Sequence, residues 1–215
     1  DIHVPRVPHP RFKHTSQAGT RGDMIHELDD TVGQEVQALD RLKLTKSTLV
    51  IFSSDNGGVN DDGYEDSDPS DHKMNGALRG RKGTLFEGGN RVPFIARWPA
   101  KIRAGSTCDV MICLMDMAAT FAALTSVPLP KDAAPDSLNV LPTLLGQKHD
   151  KPCRESLVMH VGGTKGPFAV RQGPWKFVPA APPNPRKTVG GEGCDLLFNL
   201  TTDLAESKHL PAEHP

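Results

Sequence analysis

Thr48-Leu49-Val50-Ile51-Phe52-Ser53-Ser54-Asp55-Asn56-Gly57-Gly58 is the stretch that decides the fold class. Its first half is a β-branched and aromatic run without polar alternation. That predicts a strand over 48–52 with both faces buried, as in the parallel sheet of an α/β protein. Its second half breaks abruptly into small polar residues and glycines. Ligands of open α/β sheets bind just beyond the carboxyl ends of strands, so chemistry is expected at this break.

Upstream of the strand, Ile25, Leu28, Val32, Val36, Leu39 and Leu42 recur at spacings of three and four. A candidate N-cap, Asp23, precedes them, and Arg41 and Lys43 close the run. The pattern predicts an amphipathic helix with charges ordered to suit its dipole. Residues 1–22, rich in Pro, Arg and His, read as an extended loop.

Downstream, 55–71 holds seven acids and no Lys or Arg, which reads as an exposed, mobile loop. The sign then flips, with seven Lys/Arg against the single Glu87 over 79–103. A second strand is expected over 92–98 and a helix over about 109–124. Beyond a boundary near 148, short strand-like runs at 156–161, 168–171, 175–178 and 196–200 are separated by Gly/Pro turns. Such spacing predicts an antiparallel sheet, with 179–193 a Pro/Gly-rich excursion between two strands. The expected fold is α/β: part of a mixed, helix-covered sheet over 1–148, then a small antiparallel sheet with a helix over 149–215.

The 215 residues carry 25 Lys+Arg against 26 Asp+Glu, a formal charge of -1. That balance argues against nucleic acid as the main partner, because phosphate binding needs a basic surface. The apolar run Val110–Met115 stops at Asp116, far short of the roughly 20 residues of a membrane helix, so no membrane span is expected. The chain opens on Asp1 without a signal-like segment, so the numbering is expected to begin inside a longer or processed protein. Cys108, Cys113, Cys153 and Cys194 form no C-x-x-C pair, which argues against a zinc site.

Four residues at three places invite chemistry. Asp55 and Asn56 place a carboxylate beside an amide oxygen, a pair suited to a hard cation such as Ca²⁺ or Mg²⁺. An Asx-turn that closes the strand explains them equally well. Lys82 stands in Gly80-Arg81-Lys82-Gly83-Thr84, where a flexible ammonium among glycines can approach a tetrahedral anion. The spacing excludes a Walker A loop, and a solvated basic loop is the plainer reading. His3, in His-Val-Pro, is either an acid/base or anion donor, or an ordinary loop histidine. His160 and the turn Asp203-Leu204-Ala205-Glu206 read as structural, the latter at the surface.

Taken together, these segments resemble the sulfatase family, in its arylsulfatase-type branch and hence the alkaline-phosphatase superfamily. The likeness is carried by Ile51-Phe52-Ser53-Ser54-Asp55-Asn56-Gly57, Leu78-Arg79-Gly80-Arg81-Lys82-Gly83-Thr84 and Glu87-Gly88-Gly89-Asn90-Arg91-Val92-Pro93. His3-Val4-Pro5, the helix containing Asp116, the segment 136–146, Phe168-Ala169-Val170-Arg171, Trp175-Lys176 and Leu197-Phe198-Asn199-Leu200 follow in the family's order. The resemblance implies an alkaline-phosphatase-like sheet and hydrolysis of sulfate esters. It implies Asp55 and Asn56 as metal ligands, usually to Ca²⁺ with Mg²⁺ as the alternative. It implies Lys82 and His3 as catalytic and substrate-binding residues. Lys82 would hold the sulfate and assist the leaving oxygen, and His3 would touch the sulfate and donate a proton to the alcohol.

The sequence departs from the family's pattern in one decisive respect. Sulfatases convert a Cys or Ser in Cys/Ser-x-Pro/Ala-x-Arg to formylglycine, and no Cys or Ser here stands in that motif. The family's first aspartate pair also lies upstream of the position matching His3. The chain therefore resembles the C-terminal half of a sulfatase, with formylglycine expected in an N-terminal half. On its own it is expected to be inactive and to self-associate through a cut sheet edge. The family's habit implies a secreted, periplasmic or lysosomal location. A phosphatase or phosphodiesterase of the same superfamily, or a non-catalytic cation- or carbohydrate-binding fragment, are the competing readings.

Overall fold

The computed structural model describes residues 3, 5–59, 72–147, 150–162, 166–181 and 191–210. Most of the acidic stretch 55–71 and of the excursion 179–193 lies outside them. The chain divides into two compact units, one formed by 1–48 with 58–77 and the other by 49–57 with 78–215.

The first unit is built on helix α1 (Gly19–Arg41) and a 3-10 turn, Pro10–Phe12. The helix begins four residues before its expected cap. Asp23 is buried just past the first turn, where its carboxylate accepts the backbone N–H groups of His14 (2.8 Å) and Ser16 (2.9 Å). It ties the incoming loop to the helix instead of starting it. Arg21, also buried, donates to the Val59 carbonyl at 2.8 Å.

The second unit opens with β1 (Val50–Ser53), which pairs antiparallel with β2 (Phe94–Arg97), Val50 opposite Arg97 and Ser53 opposite Phe94. All four residues of β1 are half-buried. The expectation of a doubly buried strand in a parallel pairing is thus corrected for the neighbour observed among the described residues. Between them lies the one-turn helix α2 (Glu87–Asn90). The helix expected over 109–124 is shorter: 109–113 carries no helix, Leu114–Asp116 is a 3-10 turn, and α3 spans Met117–Thr125. Asp116 explains the late start, since its carboxylate accepts the Cys113 N–H at 2.8 Å and so fixes the chain before the first turn. A further turn, α4, covers Leu141–Leu144.

The C-terminal strands fall close to where the Gly/Pro-separated runs put them: β3 (Ser156–His160), β4 (Phe168–Gln172), β5 (Trp175–Val178) and, after the short parallel pair β6 (Ala180–Ala181) and β7 (Gly191–Glu192), β8 (Leu196–Asn199). They form one antiparallel sheet in the order β3-β4-β5-β8. The fold is a mixed α/β arrangement, as expected; the described residues after 150 include no helix.

One face of that sheet makes the core. Met159, Ala169, Val178, Leu196 and Phe198 are buried, with Leu200, against Leu85 and Phe86. Those last two residues directly precede α2. The period of two that buries Val178 also turns Lys176 inward, where its side chain is fully buried. The other face leaves Val158, Val170 and Phe177 exposed in adjacent strands. The four cysteines are free thiols, Cys108 and Cys194 at the surface. No helix among the described residues is long and apolar enough to cross a membrane.

Candidate active site

The turn after β1 carries Asp55 and Asn56. Asp55 is exposed, and Asn56 is half-buried. The Asn56 amide nitrogen donates to the Gly57 carbonyl at 3.0 Å, while Ser54 Oγ donates to the Asn56 carbonyl at 2.8 Å. An Asx-turn would use a side-chain oxygen of Asp55 or Asn56 as acceptor for a nearby backbone N–H. The turn is held instead by Ser54 and by Gly57, whose N–H donates to the Gly89 carbonyl at 3.1 Å.

Lys82 lies at the exposed tip of a tight turn. Arg81 and Thr84 close it: Thr84 N donates to the Arg81 carbonyl at 3.0 Å, Thr84 Oγ1 to the same carbonyl at 2.7 Å, and Arg81 N to Thr84 Oγ1 at 3.1 Å. Gly83 follows Lys82 at φ +80°, a conformation that a side chain would strain.

Both segments rest on α2. Gly88 N donates to the Arg79 carbonyl at 2.7 Å, and Asn90 Nδ2 donates to the Thr84 and Phe86 carbonyls at 3.0 Å each. A Cβ on Gly57 would stand 1.8 Å from the Gly88 carbonyl oxygen, and one on Gly88 would stand 2.5 Å from that of Gly80. Neither position has room for a side chain. The family-like Gly-Gly pair is therefore a shared seat, contacted by Gly57 from the Asp55–Asn56 turn and by Arg79 and Gly80 from the segment that leads to Lys82. His3 is exposed and belongs to the other compact unit. His160, at the exposed end of β3, packs its ring 5.8 Å from that of Phe168.

Under this seat lies a group of charges whose meeting is not visible in the sequence. Lys176 Nζ donates to Glu87 Oε1 at 2.9 Å and forms an ion pair with Glu206 Oε1 at 2.8 Å, off the line of a well-aligned hydrogen bond. Lys176 and Glu206 are fully buried and Glu87 nearly so. Glu206 is thus an interior residue, which corrects the reading of 203–206 as only a surface turn. Arg91 Nε donates to Glu87 Oε2 at 2.7 Å. Burial pushes the Glu87 carboxyl up, but Lys176 and Arg91 outweigh it and hold the group below the usual carboxylate range. For Glu206 burial prevails over Lys176, and its carboxyl is pushed up. Strand phase was the available signal for Lys176, a lysine on the core-facing positions of a strand.

Asp55, Glu87, Arg91, Asp109 and Arg171 line an open cleft of about 890 Å³. Among the described residues no three His, Cys, Asp or Glu side chains gather into a metal-binding group.

With this geometry in view, comparisons with known proteins define the class. The sulfatase family model matches residues 4–127. An N-acetylgalactosamine-6-O-sulfatase of Bacteroides thetaiotaomicron is 41% identical over all of this chain and 43% of its own length. Human N-acetylgalactosamine-6-sulfatase is 38% identical over 70% of the chain and 28% of its length. A solved Bacteroides thetaiotaomicron structure, described within the metabolism of multiple glycosaminoglycans, superposes on all of the chain and 45% of its own with a TM-score of 0.89. The Pseudoalteromonas sulfatase PsFucS1, 29% identical, superposes with a TM-score of 0.81 over all of the chain and 43% of its own. The chain belongs to the sulfatase family. It spans less than half the length of these relatives. The family brings with it the use of a metal and of formylglycine.

Proposed function

We propose that this chain supplies the carboxyl-terminal part of a sulfuric ester hydrolase acting on a sulfated saccharide, with Asp55 and Asn56 as metal ligands and Lys82 and His3 as sulfate-binding and catalytic groups. The observation that carries this reading is the shared seat: one Gly88–Gly89 backbone bears both the carboxylate–amide turn and the turn with Lys82 at its tip. The 41% identity to an enzyme named for a 6-sulfated amino sugar favours a saccharide over a steroid sulfate.

The donor set fits a hard cation. The Asn56 amide nitrogen is committed to Gly57, which leaves its oxygen as the donor for a cation, and the preceding residue, Asp55, is an exposed carboxylate: the chemistry of a Ca²⁺ ligand pair with Mg²⁺ as the smaller alternative. Bound there, the cation would neutralise charge on sulfate oxygens. Lys82 binds the anion as a point charge at the tip of a fixed turn, where a donor aimed at developing charge is worth most. His3 donates a proton to the departing alkoxide. The nucleophile and the other metal ligands come from residues outside this sequence, in a formylglycine-bearing half.

The division near residue 148, between a catalytic part and a small sheet subdomain, belongs to the same proposal. So do a secreted, periplasmic or lysosomal location and self-association of the isolated chain. The test is hydrolysis by the full natural protein that carries these residues. The expected result is release of sulfate from N-acetylgalactosamine 6-sulfate, with little from steroid sulfates and phosphate esters, and loss of activity on chelation. Preferential hydrolysis of phosphate esters would overturn it in favour of a phosphatase. Cation binding with no hydrolysis of any ester would leave a binding protein.

A further inference from the structure

Helix α2 lacks a cap of its own: Phe86 at the N-cap position offers no side-chain acceptor. The Glu87 N–H at its start is instead taken by Glu206 Oε2 at 2.6 Å, from a residue 119 positions away. The other oxygen of that carboxylate is paired with Lys176, whose ammonium also holds Glu87. Arg79, at the beginning of the Lys82 segment, donates from Nη1 to the Glu206 carbonyl at 3.2 Å and stacks its guanidinium 4.0 Å over the Phe86 ring. Glu206 thus touches both ends of the Lys82 turn's support without reaching the turn itself.

Stability is a poor explanation for this cluster. A buried group of two acids and one ammonium often holds a fold no better than apolar side chains of the same volume, because removing the charges from water offsets their attraction. What apolar residues could not do is hold a backbone N–H at the start of α2. That N–H fixes the helix whose next two residues seat both functional turns. We propose that Glu206, acting through Glu87 and Lys176, is a positioning residue that sets the placement of the Lys82 turn and the Asp55–Asn56 turn relative to each other. This rests on the sulfatase reading for its consequence in catalysis, and on the contacts above for its structural content.

The experiment compares Glu206→Gln, Glu206→Asp and the remote core variant Val140→Ala in the full natural protein carrying these residues. Hydrogen exchange is read at the Gly57 and Gly88 amides, and kcat and KM are read separately on one sulfate ester. Glu206→Gln keeps the shape and removes the charge. It is expected to speed exchange at Gly57 and Gly88 about tenfold while β3 and β4 amides keep their protection. It is also expected to lower kcat by about 10- to 100-fold, with a much smaller change in KM. Glu206→Asp, which retains the charge but withdraws it by one methylene, is expected to show the same pattern at a few-fold size. It carries the test should the Gln variant not fold.

Val140→Ala destabilises the core away from α2 and is expected to leave both readouts near wild type. Wild-type exchange at Gly57 and Gly88 in the Glu206 variants would overturn the proposal. So would equal loosening by Val140→Ala, since the effect would then be general stability. Should the unmodified protein hydrolyse no sulfate ester, the functional reading fails while the exchange measurement still decides the positioning role.

Discussion

Arg154 Nε donates to Asp116 Oδ2 at 3.1 Å, joining the turn before α3 to the residue two positions before β3, with Asp116 fully buried. The other Asp116 oxygen accepts the Leu138 N–H at 3.0 Å, and Arg154 Nη2 donates to the Asp136 carbonyl at 2.8 Å. One ion pair thereby gathers three separate loops. Asp116→Asn leaves a buried guanidinium without its counter-charge and is expected to cost about 3–5 kcal/mol. Urea titration of both proteins, read at the midpoint, measures it.

The same pair governs acid stability. Burial alone would push the Asp116 carboxyl up, but Arg154 and the N–H groups of Leu138 and Cys113 outweigh it and hold it below the usual range. A depressed carboxyl stabilises the fold fully above its unfolded value, near 3.8, and loses that contribution as pH falls through the folded value. Asp116→Asn is therefore expected to flatten the acid limb of a stability profile, so that wild type and variant draw together as pH falls below the unfolded carboxyl value. Parallel denaturation curves across that window would contradict it.

Lys82 and Asp55 are exposed, so replacing either with Ala is expected to change stability by less than about 0.5 kcal/mol. In the full natural protein, Lys82→Ala is expected to lower kcat on a sulfate ester about 10²- to 10³-fold, the loss typical of one charge-stabilising donor. Lys82→Arg should restore little, because a planar fork does not replace a point charge on a flexible stem. Asp55→Ala should instead weaken the response to added Ca²⁺, read as a shift in its half-saturating concentration.

Two glycines give opposite expectations. Gly57→Ala drives a methyl into the Gly88 carbonyl and should cost about 1–3 kcal/mol or more, with the functional turns displaced. Gly33→Ala lies inside α1 with open space around the new methyl. It should stabilise its unit by about 0.5–1 kcal/mol through the lower entropy of the unfolded chain. Thermal melts of the two variants test the contrast directly.

Residues 1–215 expressed alone are expected to show no sustained turnover of an aryl sulfate, since no Cys or Ser stands in the formylglycine motif. They are also expected to self-associate. The β1–β2 pair and the outward row of Val158, Val170 and Phe177 offer a strand edge and an apolar surface to a second copy. Light scattering that gives a monomer mass across a concentration series would remove this expectation.

The sequence by itself determined the local parts. Short strand-like runs between Gly/Pro turns located four strands over 156–200 to within a residue or so, because such turns punctuate the chain locally. The Asp55-Asn56-Gly57 break after β1 and the Lys82 turn were legible for the same reason: glycines and short polar side chains dictate their own turns. Boundaries fixed by distant partners were not. Asp23 looked like a cap, yet the loop at His14 and Ser16 claims its carboxylate. The helix expected from 109 starts at 117, because Asp116 is tied to Cys113, Leu138 and Arg154.

Only the tertiary structure decided how the functional turns are joined. Glu87, Lys176 and Glu206 are scattered over 120 positions of sequence, each ordinary beside its neighbours. Lys176 turns inward because its strand phase leaves it no other face, and it meets two acids because β5 packs where α2 and the 203–208 turn converge. Burying a charge is costly unless its partner arrives from elsewhere in the chain, so the reason for such a residue is invisible until the chain has folded.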